Sequence, residues 1–270
     1  MARPLSRAPA ARPEVLAFLQ QVREDPADDS PRLVLADWLQ DRGDPRGEFV
    51  HLRVVGARLA EDDPQRDWLA RRERQLLGRH LFDWLGPFID HVKGGGWEFA
   101  RGLVQLEARA EKFLTPEVAS LSATETGAWV DGLRLEEMTP RLVARLARFP
   151  LLGVLTTLDL SGNRLRGTAL ETLAGSRLLA HVGVLRLAGN RVGPQGARAL
   201  AECPHLGRLT ALDLTRNTVG DAGAEALAGS AHLARLTTLH VGDNGISPGG
   251  LGLLRRRFGD GVRAVGQTPN

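Results

Sequence analysis

The chain has no tyrosine, one cysteine, and only two lysines among its 35 basic residues. Each scarcity excludes something. A lone cysteine, Cys203, rules out an intrachain disulfide, so the fold must rest on its own core, and a reducing, cytoplasmic setting is expected. Aromatics make up 5% of the residues. That points to a core of Leu, Val and Ala and leaves few of the anchors that usually dominate binding hot spots. No apolar run approaches the ~18 residues of a membrane span, so no membrane partner is expected. Residues 1–13 place Arg3, Arg7 and Arg12 among Ala and Pro without an apolar stretch, which argues for a disordered tail rather than a secretory leader.

Signatures of catalysis are missing as well. There is no Walker-type phosphate loop, no H-E-x-x-H and no paired C-x-x-C. Cys203 occupies the slot held by Ser176 and Ser230 in neighbouring segments, so it reads as a small packed residue rather than a nucleophile. His205 and His232 share another slot but bring no carboxylate with them; neither a metal nor a cofactor is expected. The acids Asp25, Asp28 and Asp29 read as negative charge leading into a helix N-terminus. The sequence pI near 9.9 suggests nucleic acid at first sight. The formal net charge is only +3, however, and acids interrupt the arginines almost everywhere. Nucleic-acid binding needs basic residues gathered on one face, so no such partner is expected.

What the chain does have is a repeat. Leu155-Thr-Thr-Leu158-Asp-Leu160-Ser-Gly-Asn163 returns as Val182 to Asn190, as Leu209 to Asn217 and as Leu236 to Asn244. The four asparagines are 27 residues apart each time (190 − 163, 217 − 190, 244 − 217). Leu158 and Leu160 alternate with polar residues, so both point inward from a short strand. The Asn turns the chain off the strand, where its amide can satisfy backbone groups that would otherwise be buried unpaired. A helix-period stretch follows each strand, such as Ala197, Leu200, Ala201, opened by Gly193-Pro-Gln-Gly196.

The pattern L-x-x-L-x-L-x-x-N-x-L is that of leucine-rich repeats. The 27-residue unit resembles the ribonuclease-inhibitor type over roughly residues 130 to 265. That resemblance implies an α/β solenoid curved into a horseshoe, parallel strands inside and helices outside. Val130 to Leu135 is a degenerate earlier strand with Met138 where Asn is expected, and Val262 to Val265 a truncated closing strand; terminal repeats depart from consensus because they cap the core.

The first ~85 residues read instead as a small helical bundle with proline-marked starts. Ser30-Pro31, Asp44-Pro45 and Asp63-Pro64 each put an N-cap before proline. The phrase from Asp25 through Asp37-Trp38-Leu39 to Arg42-Gly43-Asp44, continuing into Arg46-Gly47-Glu48-Phe49, resembles the bacterial repeat-companion domain. This resemblance implies architecture and carries no activity. Gly47 stands where that family more often has Ala and is expected to weaken its helix by about 1 kcal/mol. Gly94-Gly95-Gly96 reads as either a flexible connection or a tight turn, the turn being favoured because apolar residues resume at once with Trp97.

The expected organisation is therefore a tail at 1–13, a helical module at 14–90, a junction and solenoid cap at 91–129, and the solenoid at 130–270. Outward-facing strand positions form a column of Arg134, Asp159, Arg186, Asp213 and His240 on the concave face, where this repeat class commonly binds. Parallel neighbours lie ~4.8 Å apart, so these charges are expected to pair along the column, and reversing Arg186 to Glu to destabilise the array. On the helical module the candidates are Arg32, Asp37, Trp38, Arg42 and Glu48, with Trp38 expected in the core and Asp37 holding Arg32, Arg42 or a backbone amide. The function this supports is non-catalytic binding of a protein partner or scaffolding. Its alternatives are a regulator of an enzyme, such as an inhibitor or GTPase activator, or a structural spacer.

Overall fold

The computed structural model describes residues 11–266. The described residues pack as two compact units: 11–106 with 116–131, and 107–115 with 132–266. These units do not coincide with the linear boundaries expected at 90, 91 and 129, because 107–115 packs with the repeats and 116–131 with the helices.

In chain order the first elements are α1 (Pro13–Glu24), α2 (Ser30–Gln40), α3 (Pro45–Arg58), α4 (Gln65–Leu85), β1 (Trp97–Ala100) and β2 (Leu103–Arg109). Next come α5 (Ala110–Phe113), which belongs to the second unit, then α6 (Pro116–Leu121) and α7 (Glu125–Ala128) of the first. Within the first unit each of the four long helices packs on the next. Val15, Leu19 and Val22 bury one face of α1, and Leu35, Ala36 and Leu39 one face of α2. Phe49 of α3 centres an aromatic core, 4.8 Å from Trp84 and 4.9 Å from Phe99 between ring centroids.

Helix starts follow the proline pattern with shifts. Asp44 caps α3 as expected, its carboxylate accepting the Arg46 N–H at 2.9 Å. At α2 the first helical residue is Ser30 itself, and Asp28 accepts its N–H at 2.8 Å. At α4 the helix begins at Gln65, with Asp63 accepting that N–H at 2.8 Å. Arg12 belongs to ordered structure and Pro13 opens α1, which corrects the expected tail at those two residues: Arg12 is held by Glu125 and Asp44. Residues 1–10 of that tail lie outside the described residues. Gly95, at φ 75°, makes the turn into β1, and Arg101-Gly102, both at positive φ, close the β1–β2 hairpin in the mirror-image turn that suits strand twist.

The second unit continues with β3 (Val130–Glu136), whose first two residues lie in the first unit, and α8 (Pro140–Leu146). Strand and helix then alternate: β4 (Thr157–Asp159), α9 (Gly167–Ala174), β5 (Val184–Arg186), α10 (Gly193–Ala201), β6 (Ala211–Asp213), α11 (Gly220–Ala228), β7 (Thr238–His240), α12 (Pro248–Phe258) and β8 (Val262–Arg263). From β3 to β8 every strand pairs in parallel with the next. Leu133, Leu158, Leu185, Leu212 and Leu239 lie in register and are buried to within 2% of complete. The helices behind them stack α9 to α12 in order. The result is an α/β repeat fold in which each unit buries its apolar side only against its neighbours.

Candidate functional site

The strand register places Arg134, Asp159, Arg186, Asp213 and His240 in one row, as the periodicity requires, with Arg263 next in line. Arg134 and Arg186 are exposed and the other three half-exposed. Small residues flank them, Thr157, Val184, Ala211 and Thr238 before the row and Ser161, Ala188, Thr215 and Gly242 after it. The expected ladder of ion pairs does not form among the described residues. Asp159 accepts the N–H of Ser161 at 2.8 Å, and Asp213 that of Thr215 at 2.9 Å. Each carboxylate closes a turn with its own chain two residues on, a bond that needs no long side chain to be immobilised. Arg134 turns to Glu136 at 3.8 Å and Glu107 at 4.0 Å. Among the described residues Arg186 has no ion pair or side-chain hydrogen bond. Beside the row, a cavity of about 470 Å³ is lined by Arg134, Glu136, Glu137, Ser161 and Arg164, among others.

The row is held in place by the asparagines. Asn217, fully buried, donates to Leu187 O at 2.8 Å and Leu214 O at 2.9 Å, while its oxygen accepts the Val192 N–H at 3.2 Å. One amide thus ties the end of its own strand to the loop of the coil before. Asn190 does the same with Leu160, Leu187 and Leu165, and Asn163 with Leu135, Leu160 and the N–H of Met138. Asn244 reaches Leu214 O and accepts from Val219.

A second column closes the far side of each coil. The hydroxyls of Ser176 and Ser230 donate to Ala147 O at 2.6 Å and Ala201 O at 2.5 Å; the Cys203 thiol points at Ala174 O at 3.1 Å. Cys203 is buried, and that burial pushes its thiol pKa up, away from the thiolate a nucleophile needs. Among the described residues no group of three or more His, Cys, Asp or Glu side chains is arranged to hold a metal ion.

On the helical unit the five candidates do not converge. Arg32 is buried, donating to Pro26 O at 3.1 Å and Asp28 O at 3.0 Å. It also approaches Asp29 at 3.8 Å, and Asp29 is a buried hub for Arg58 at 2.9 Å and Arg101 at 3.4 Å. Guanidinium groups thus occupy the place a cation would take. Glu48 lies elsewhere, gripping Arg72 through two bonds of 2.6 and 2.7 Å that hold its carboxyl below the usual range. Two expectations are corrected. Trp38 is half-buried rather than core, because Arg42 stacks on its outer face at 3.9 Å. Asp37 is exposed and, among the described residues, its carboxylate bonds neither arginine nor amide: Arg42 reaches the Trp38 carbonyl instead, at 3.1 Å.

Residues that the sequence did not single out are more unusual. The Arg46 guanidinium is buried with two of its nitrogens lacking a hydrogen-bond partner among the described residues, and stacks 3.8 Å above the Trp129 ring. Burial pushes its pKa down to about 9, against the pull of Asp44 and Glu125. The outer face of α4 carries Trp68, 56% exposed, and Phe82, 70% exposed. Their separation of 14 residues, two heptads, was the available signal.

Strand, asparagine turn and helix repeating in register define an α/β repeat protein. Leucine-rich-repeat family models match its residues 154–176, 179–201, 209–228 and 232–254. Over those stretches the chain is similar to leucine-rich repeats, units that generally mediate protein–protein interaction. None of the curated proteins matches it. No described helix is long and apolar enough to cross a membrane.

Proposed function

We propose that the chain is a non-catalytic protein-interaction or scaffolding module acting in the cytoplasm. In this reading the repeats are of the ribonuclease-inhibitor type and form a horseshoe whose concave face carries the row from Arg134 to His240. The N-terminal helices are a bacterial repeat-companion module. The observation that supports it best is Arg186: exposed, mid-row, and without an ion pair among the described residues, its acidic neighbours being turned to their own backbones. An unpaired arginine among small side chains gives a protein partner an open surface with one strong charged contact.

The test is cross-linking capture with mass spectrometry, comparing the wild-type chain with Arg186→Ala and His240→Ala. Neither change removes a bond that holds the turn, so circular dichroism should be unchanged. Specific capture that is lost in Arg186→Ala supports the reading. Identical capture by all three proteins overturns the strand face as the site. Stimulated nucleotide hydrolysis by a captured GTPase would convert the reading to that of a regulator, and absence of any specific capture to that of a spacer.

A further inference from the structure

A cavity of about 420 Å³ lies between α3, α4 and the tip of the β1–β2 hairpin, all within the first unit. One wall is an ion pair: Glu73 accepts from Arg53 at 3.1 Å, and Arg53 also donates to the Phe99 carbonyl. That pair neutralises itself. Two further guanidiniums, both exposed, do not. Arg66 is gripped on its Nε–Nη2 edge by Ala60 O at 2.6 Å and Leu59 O at 2.7 Å, both neutral acceptors. Its Nη1 has no partner among the described residues. Arg101 shares Asp29 with Arg58 and Arg32, so one carboxylate faces three guanidiniums. Arg101 also holds a left-handed backbone position, φ 47°, where a tight hairpin turn favours asparagine or glycine. Asp67 lines the cavity too, exposed and without a hydrogen bond or ion pair among the described residues.

The apolar part of the lining comes from Leu69, Ala57 and Ala70, and Gly56 leaves it open. Glycine is disfavoured within a helix, and nothing packed on Gly56 demands it. A Cβ there would meet only Leu69 Cδ1 at 3.6 Å and Glu73 Oε1 at 4.0 Å, both ordinary contacts. A larger side chain at this point would fill the cavity.

We propose that this cavity takes the free C-terminus of a partner protein that ends in an aliphatic residue. The carboxylate binds Arg66 and Arg101, the last side chain rests on Leu69 in the space that Gly56 leaves, and Asp67 accepts a peptide N–H. The charges suit a single negative group. Asp67 and Glu73 also line the cavity, so a phosphate dianion would meet carboxylates as well as arginines. The volume is that of a site for ligands larger than one amino acid, and the exposed arginines leave a way out for the rest of the chain. The site deepens the protein-binding reading and rests on it, but uses nothing of the strand face.

Fluorescence anisotropy on the full chain tests it, with a hexapeptide of serine and glycine ending in leucine, dye-labelled at its N-terminus. One form has a free carboxyl end and the other an amidated one. The free form should bind, and amidation should weaken binding by about tenfold or more, since it removes the charge that the arginines hold. Arg66→Ala and Arg101→Gly should each weaken binding by about tenfold. Both side chains are exposed and glycine suits the left-handed turn, so circular dichroism should be unchanged. Gly56→Leu should abolish binding, whereas Gly56→Ala, whose methyl group fits, should keep both fold and binding; the pair separates blockage from unfolding. Arg186→Ala should leave peptide binding unchanged, so failure here and failure of the strand-face reading are separately visible. Absence of binding by the free form, equal binding of the two forms, or indifference to Arg66→Ala overturns the proposal. So does displacement of the peptide by an equal concentration of leucine or of inorganic phosphate, which would give the cavity to a free amino acid or to a phosphate ligand.

Discussion

At Gly47 a missing side chain decides how closely two helices meet. A Cβ there would run into Ala36 O and lie 2.8 Å from Gln40 N, so α2 and α3 can pack as they do only with glycine at this point. Helix propensity alone makes Gly47 a weakness of about 1 kcal/mol that alanine would repair. The contact reverses the sign. Gly47→Ala should destabilise the protein by roughly 1–3 kcal/mol as the helices are forced apart, read as a lower denaturant midpoint in urea unfolding. A midpoint that rises would show that the helices separate freely. Cys203 makes a related point, since its thiol stands where a serine hydroxyl stands in the coils on either side. What is kept at that slot is a small group able to reach a carbonyl of the preceding coil, which is why one cysteine in the sequence carried so little chemical meaning.

A repeat unit cannot bury its own apolar side, and the asparagine is what joins each unit to the one before. Asn217→Ala would leave Leu187 O, Leu214 O and the Val192 N–H without their partner in a fully buried place. The expected cost is about 2–4 kcal/mol. Asn163, which is only half-buried, should cost less when changed the same way, because water can replace part of what is lost. Equal urea midpoints for the two variants would argue against burial as the cause. These elements were legible in the sequence because a strand of inward leucines and a buried amide admit few substitutes, and the period repeats them. The charge column was legible only as positions. Its register is as expected, but its bonds depend on a competition between the neighbouring strand and the chain's own N–H groups. Asp159-Leu-Ser161 and Asp213-Leu-Thr215 each put a short acid two residues before a turn N–H, and that local bond wins. On the helical unit less could be read. Trp38 shares the helical spacing of Leu35 and Leu39 yet sits at the rim under Arg42, and Arg46 is buried by Trp129, more than eighty positions away in the chain.

At the scale of the whole molecule, acid sensitivity should trace to the first unit's ties between distant segments. Arg12 joins Glu125 at 2.5 Å and Asp44 at 2.8 Å, bridging the start of α1 to α7 and to the cap of α3. Burial raises the Glu125 pKa, but the hydrogen bonds from Arg12 outweigh it and leave the net value below the ordinary 4.5. Arg72 likewise lowers Glu48. A carboxyl whose folded pKa is depressed contributes stability above its unfolded pKa, and that stability is lost as pH falls through the folded value. The melting temperature should therefore hold from pH 7 to about 5 and decline below 4.5. Arg12→Ala should lower it at neutral pH and flatten the acid decline. A parallel decline in both proteins would place the acid-sensitive groups elsewhere.

The backbone leaves the first unit after residue 106, returns at 116, and leaves again after 131. Cutting the peptide bond between 106 and 107 would therefore not free the helices from the repeats, because residues 116–131 would remain part of the helical unit while still joined to the repeats at both ends. Synthesis meets the same constraint: the helical unit is incomplete until residue 131 has been made, by which time the first segment of the repeat unit already exists. Exchanging one unit for another would require three junctions in the gene where a linear arrangement would need one.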